Sequence, residues 1–251
     1  MSSLEPLSGK LALVTGGSRG LGRAIVHRLC RAGCDVLVNY RNDDSAAGAT
    51  VDALADAPGV ATPVKGDIRD AGTLAMIGEL ARASHGGLDI VVHNAASWRP
   101  MSALAVDHTA FWRELSLALD PLLLGAPLFA ELMAGRAGRI VAISGNGAHS
   151  VIPDYVATGV GKAALESLVR YLAAEFAGRG VAVTAVSTGM LDKGEHNHSP
   201  ELAAMLGGRT PAGRLTKPDD VADAVALLCS REAHWIHGQV VTADGGLGLR
   251  A

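Results

Sequence analysis

The chain has 251 residues, of which 49% are hydrophobic, 19% charged and 4% aromatic, and its net charge is −3. This balance excludes an intrinsically disordered chain, and without a cationic excess neither nucleic acid nor an anionic membrane is an expected partner. No uninterrupted apolar run reaches the ~18 residues of a membrane helix, and residues 1–10 lack the basic and apolar pattern of a secretory leader, so a cytoplasmic protein is expected.

In chain order, residues 11–14 (Leu-Ala-Leu-Val) read as a buried strand and 20–32 as a helix closed by Gly33. A second strand covers 36–38. Asp43 or Asp44 can cap the next helix, which runs to about residue 57. Strands follow at 60–65 and 88–93. A long helix is expected over 107–133, bent or broken by Pro121 and Pro127. Residues 139–144 form a fifth strand, and Pro153 fits the first turn of a helix running to about 177. Strands at 181–186 and 239–242 complete the pattern. Strands alternating with helices give parallel βαβ units. With no linker or repeat, residues 1–251 read as one Rossmann-type α/β domain. Its doubly wound parallel sheet has about seven strands, with helices on both faces and the ligand at the strands' carboxyl ends. Cys30, Cys34 and Cys229 are expected to be reduced and structural. His196 and His198 read as loop residues, so no metal site is expected.

The first strand runs into Thr15-Gly16-Gly17-Ser18-Arg19-Gly20-Leu21-Gly22, which opens the first helix. Glycines here permit a tight turn and close approach of a pyrophosphate, and the helix N-terminus adds N–H groups and partial positive charge. Gly16, Ser18, Arg19, Gly20, Leu21 and Gly22 are therefore candidate dinucleotide contacts. The acidic residue that would hold the ribose of NAD is missing, since the second strand ends Asn39-Tyr40-Arg41. Arg19 and Arg41 could instead converge on a 2′-phosphate beside Tyr40, which favours NADPH over NADH. After the third strand, Asp67 could accept from the adenine amino group while Ile68 packs on the ring.

The glycine loop, Asn94-Ala95-Ala96, Lys162 and Asp244-Gly245-Gly246 together resemble the short-chain dehydrogenase/reductase family over nearly the whole chain. The resemblance implies a nicotinamide cofactor lying along Asn94, Ala95, Ala96, Thr188, Gly189 and Met190, hydride transfer, and a homodimer or homotetramer. It also implies a catalytic Tyr four residues before Lys162, but Thr158 stands there. Tyr155 lies seven residues before Lys162, almost two helical turns. That spacing, with the string from Tyr155 to Glu166, is similar to the NADPH-dependent type III enoyl-[acyl-carrier-protein] reductases. Other family positions are altered. Gly145 stands where a catalytic Ser or second Tyr is usual, with Ser144 one residue off and facing the other way. Ala118 replaces an Asn, and Lys193 replaces a Thr.

The resulting expectation is an NADPH-dependent reductase of an α,β-unsaturated thioester or related enone, as a small molecule or bound to a carrier protein. Tyr155 would donate to the thioester oxygen, with Lys162 holding the ribose and lowering the Tyr155 pKa. A ketoreductase of secondary metabolism and a non-catalytic NADP-binding sensor or scaffold are the alternatives. Residues 191–209 are the expected substrate lid. Ala164, Leu165, Leu168 and Leu172 could form an apolar face toward a second copy.

Overall fold

The computed structural model describes residues 7–194 and 199–249; the paired histidines of the expected lid fall outside them. Seven strands form one parallel sheet: β1 (Leu11–Thr15), β2 (Asp35–Tyr40), β3 (Ala61–Lys65), β4 (Ile90–His93), β5 (Arg139–Ile143), β6 (Ala182–Ser187) and β7 (Val240–Thr242). Their spatial order is β3-β2-β1-β4-β5-β6-β7, so strand order reverses between β1 and β4. Thr15 at the end of β1 is in register with Asn39 of β2 and His93 of β4. The switch point thus opens directly beyond these three residues.

Alternation along each strand assigns the two faces. Ala12, Val14, Val36 and Val38 meet α1 (Gly20–Arg31) and α7 (Pro218–Cys229), where Ile25, Leu29, Val221 and Val225 are buried. Leu11, Leu13, Leu37 and Val91 face the other way. They pack under α3 (Ala71–His85), α4 (His108–Leu132) and α5 (Val156–Ala177) through Ile77, Phe129 and Val169. Each such side chain taken fully out of water contributes on the order of 1.5–3 kcal/mol. Two shorter helices, α2 (Asp44–Asp52) and α6 (Pro200–Arg209), complete the set.

Several expectations change. Three helices that the sequence leaves unassigned, α3, α6 and α7, are present. α2 is capped by Asp43, whose carboxylate accepts from the Ala46 amide at 2.9 Å, but it ends at Asp52 rather than near 57. α4 runs unbroken through Pro121 and Pro127. Leu122 and Phe129 anchor it in the core, and the His93 ring nitrogen Nε2 lies 3.0 Å from its Ala118 carbonyl. By length and composition it is also apolar enough to cross a membrane, with a mean hydropathy of 1.5, although Arg113, Glu114 and Asp120 interrupt any continuous apolar run. Here it packs on α3, α5 and the sheet. Leu165 and Leu172 turn into the core of their own chain, so they do not belong to an outward apolar face. The three cysteines are free and buried.

Candidate active site

A cleft of about 670 Å³ lies beyond the carboxyl ends of β1, β2, β3 and β4. One wall is the loop from Gly16 to Gly22, including Ser18, Arg19, Gly20 and Leu21. Hydrogen bonds tie that loop to the chain after β4. The Thr15 hydroxyl oxygen accepts from the amides of Asn94 and Ala95 at 3.0 and 2.9 Å. The Asn94 side-chain amide donates to the carbonyls of Thr15 and Gly16, both at 3.1 Å. The approach is close enough to require glycine. A Cβ on Gly16 would sit 2.9 Å from Ala95 Cα, and one on Gly22 would sit 2.0 Å from the Gly16 carbonyl oxygen. Arg19 is the N-cap of α1 and its side chain does not cap the helix, so the first-turn amides are available to an anion.

At the far end of the cleft Tyr40 and Arg41 follow β2, and Asp67 and Ile68 follow β3. The Tyr40 hydroxyl donates to Asp44 at 2.9 Å. Asp67 is held by a residue the sequence reading did not single out. Arg69 donates to it through Nε at 2.9 Å and Nη2 at 2.6 Å, while Arg41 stands 3.9 Å away. The Arg69 hydrogen bonds keep the Asp67 carboxyl below the usual carboxylate range. Arg69 also offsets that negative charge where Arg19 and Arg41 line the same cleft. A glycine cradle, exposed helix amides and two guanidinium groups at the ribose end fit a phosphorylated dinucleotide.

The catalytic end is built from the start of α5. The helix begins at Val156, later than Pro153 would place it, because Asp154 adopts φ 55 and Tyr155 caps the helix outside helical geometry. A loop after β4 pins this turn. The Met101 amide donates to the Asp154 carbonyl at 2.7 Å, and Met101 bridges Tyr155. The Tyr155 ring lies against Gly147, where an added Cβ would be 2.6 Å from its Cε1. Burial, and then the charge of Glu114, push the Tyr155 pKa upward. This reverses the expectation that Lys162 lowers it. The Lys162 ammonium instead donates to the Ile143 carbonyl at 2.6 Å. Lys162 keeps part of its surface accessible, yet burial brings its pKa down to about 8, opposed by the carboxylate of Glu166.

A small chamber of about 20 Å³ joins Lys162 and Thr158 to Ser97, Glu114, Ala95, Ala96 and Ala118. The Thr158 hydroxyl is buried there without a hydrogen-bond partner. Ser144 points elsewhere, donating to Glu166 at 2.5 Å, and the same carboxylate meets His149 at 2.6 Å. At Gly145 a Cβ would have room, 3.4 Å from the Thr188 carbonyl oxygen, but no hydroxyl is present. Lys193 lines the main cleft with Trp98 and Leu117. Thr188, Gly189 and Met190 follow β6 beside that cleft rather than on its wall, and the Thr188 carbonyl accepts from the Asn146 amide at 3.0 Å. His93 is enclosed between the Thr15 hydroxyl, 3.1 Å from Nδ1, and the Ala118 carbonyl. Burial, with Lys162 nearby, brings its pKa to about 4. Glu114 and His93 were not among the expected site residues. Among the described residues no cluster of His, Cys, Asp or Glu could hold a metal.

Comparison with known proteins places this architecture among relatives. A family model described as enoyl-(acyl carrier protein) reductase matches residues 16–248. The 1-cyclohexenylcarbonyl-CoA reductase of Streptomyces collinus is 36% identical over 248 residues, covering 96% of this chain and 88% of that protein. A short-chain dehydrogenase/reductase from Serratia marcescens superposes with a TM-score of 0.88 at 30% identity, covering 96% of this chain and 99% of its own. A candidate NAD(P)-dependent gluconate 5-dehydrogenase from Beutenbergia cavernae, solved with NADP at low occupancy, gives 0.88 at 33% identity, covering 98% and 100%.

Proposed function

Because the chain belongs to the short-chain dehydrogenase/reductase family, we propose that it is an NADPH-dependent reductase of α,β-unsaturated thioesters or related conjugated enones. The observation that carries this reading is the position of Tyr155. The chain has three tyrosines. Tyr40 is bonded to Asp44 at the far end of the cleft and Tyr171 is 71% exposed. Tyr155 alone is half-buried at the start of the helix that carries Lys162. Thr158, at the spacing usual for ketoreductases, has an aliphatic hydroxyl, a much weaker acid than a phenol. The family model and the Streptomyces collinus relative support the same chemistry.

In this reading Arg19 and Arg41 hold the 2′-phosphate, the amides of the Gly16–Gly22 loop hold the pyrophosphate, and Asp67 and Ile68 take the adenine. The bound nicotinamide supplies the hydride. Lys162 holds the nicotinamide ribose, and a pKa near 8 keeps it mostly protonated at neutral pH. As charge develops on the thioester oxygen, Tyr155 donates its phenol hydrogen there. A raised pKa keeps that hydrogen in place until it is needed. Ala118 and Gly145 stand where the family usually has an Asn and a Ser, so Tyr155 carries the donation without a hydroxyl at 145.

Residues 191–209 are proposed as the lid, with Leu191 bridged to Thr216 and α6 as its later part. A homodimer or homotetramer is proposed from Trp112, Leu123 and Leu124 of α4 and Tyr171 of α5, all apolar or aromatic and at least half exposed. Three reduced thiols accord with a cytoplasmic location.

The test follows NADPH absorbance with enoyl-CoA or enoyl-acyl-carrier-protein substrates beside matched ketones. Oxidation with the enoyl thioesters is expected. Oxidation with ketones alone supports a ketoreductase, and tight NADPH binding without turnover of either class supports a sensor.

A further inference from the structure

His149 follows the short turn after β5 with its side chain 68% exposed, yet it holds a carboxylate that the core encloses. Its Nε2 lies 2.6 Å from Glu166, whose side chain is 3% exposed. Glu166 stands one helical turn beyond Lys162 on α5, and both side chains reach the end of β5. Lys162 donates to the Ile143 carbonyl, and Glu166 accepts from the Ser144 hydroxyl at 2.5 Å. A buried carboxylate is costly unless its oxygens are hydrogen-bonded or paired. Ser144 serves Oε1 and His149 serves Oε2. The imidazole can donate through Nε2 as the neutral ring or as the cation.

We propose that His149, clasped to Glu166, is a positioning residue that holds the turn of residues 146–148 against α5 and thereby fixes the ring of Tyr155. The inference rests on the assignment of Tyr155 as the donor but concerns a residue to which no role has been given. Contacts between the turn and the helix carry it. A Cβ on Gly147 would lie 2.6 Å from Tyr155 Cε1, and one on Gly159 would lie 2.9 Å from the Gly147 carbonyl oxygen. The turn is therefore pressed onto the first turn of α5 with the Tyr155 ring beside it. Its backbone is tied elsewhere. The Asn146 amide donates to the Thr188 carbonyl at 3.0 Å, and the Asn146 carbonyl accepts from the amides of His149 and Ser150 at 3.0 and 2.9 Å. These bonds fold the turn and join it to the end of β6. The side-chain hydrogen bond that crosses from this loop to α5, among the described residues, is that of His149 to Glu166. With it the loop is held from both sides. A donor must be aimed closely, since a misplacement of about 1 Å can cost about a hundredfold in rate.

The test is the NMR spectrum of the protein with its tyrosines isotopically labelled in the ring, recorded without substrate. The chain has three tyrosines, so Tyr155→Phe identifies the signals of interest. His149→Ala removes the clasp, and His149→Asn carries an amide too short to reach Glu166. In both, the Tyr155 ring signals should shift and broaden while those of Tyr40 and Tyr171 stay in place. His149→Gln, whose longer amide can donate to Glu166, should return them to the parent positions. Imidazole added to His149→Ala should move them back toward the parent. With any accepted substrate, kcat of His149→Ala should fall about 10–100-fold while the Kd for NADPH stays near that of the parent, and His149→Gln should recover most of the loss. Parent-like Tyr155 signals in His149→Ala or His149→Asn overturn the proposal, and so does a change that His149→Gln fails to reverse. The spectra need no turnover, so their outcome is separate from whether Tyr155 is the donor or enoyl thioesters are substrates.

Discussion

Gly22→Ala probes the cofactor cradle most severely. The added methyl would lie 2.0 Å from the Gly16 carbonyl oxygen and 2.6 Å from Asn94 Nδ2. Backbone and a fixed amide cannot yield as a flexible side chain can. The loop must move by about 1 Å or more, and overpacking of this kind costs about 1–3 kcal/mol. Movement also disturbs the two 3.1 Å bonds from Asn94 to Thr15 and Gly16, each contributing about 1 kcal/mol. A total of about 3 kcal/mol corresponds to a fall in melting temperature of roughly 6–12 °C for a domain this size. If the amides that face the pyrophosphate are displaced by the same shift, NADPH affinity falls by about a hundredfold. Gly20→Ala is the control. Gly20 has φ 53 but open space around its Cβ position, so only left-handed strain of about 1–2 kcal/mol is added. Thermal melts and NADPH fluorescence titrations on both variants make the comparison. A Gly22→Ala protein that melts and binds NADPH like the parent refutes this account of the loop.

Arg41→Asp should lower NADPH affinity about 10–100-fold, as expected for losing a charge-assisted contact, with little effect on NADH; equal affinities of the parent for the two cofactors would remove the basis for the prediction. His93 gives a pH signature. Its folded pKa of about 4 lies below the ~6.5 of an unfolded His, so the unfolded chain binds more protons between those values. Its contribution is complete above ~6.5 and declines as pH falls toward 4, by about 3 kcal/mol in all. Urea melts at stepped pH should show that loss in the parent and a shallower one in His93→Asn, and identical slopes would contradict it.

The βαβ order and the cofactor cradle could be read from sequence because both are local. Thr15 to Gly22 joins an apolar strand to a helix through glycines, and the missing acid after Asn39 is visible in the chain itself. The helices α3 and α7 also left signals. Leu74, Ile77 and Ala81 recur at helical spacing, and Pro218-Asp219-Asp220 is a helix start, with Pro in the first turn and acids beside it. What sequence could not supply was set by long-range contacts. The start of α5 at Val156 depends on Met101, more than fifty residues earlier. Pro121 looked like a break, but core packing of Leu122 and Phe129 keeps α4 whole. Glu114 and His93 stand in ordinary amphipathic or strand patterns, and only the approach of Ser97, Thr15 and Ala118 reveals their enclosure. The Tyr155 pKa had the wrong expected sign for the same reason. Helical spacing put Lys162 on its face, whereas the fold gives that ammonium to the Ile143 carbonyl and buries the phenol.

The central claim is that Tyr155 is the hydrogen donor of the reaction. Single-turnover oxidation of bound NADPH by an enoyl thioester, compared among the parent, Tyr155→Phe and Thr158→Val, tests it directly. Tyr155→Phe should bind NADPH nearly as the parent does and slow hydride transfer about 10²–10⁴-fold, while Thr158→Val should change it far less. Parent-like transfer in Tyr155→Phe together with its loss in Thr158→Val would contradict the account.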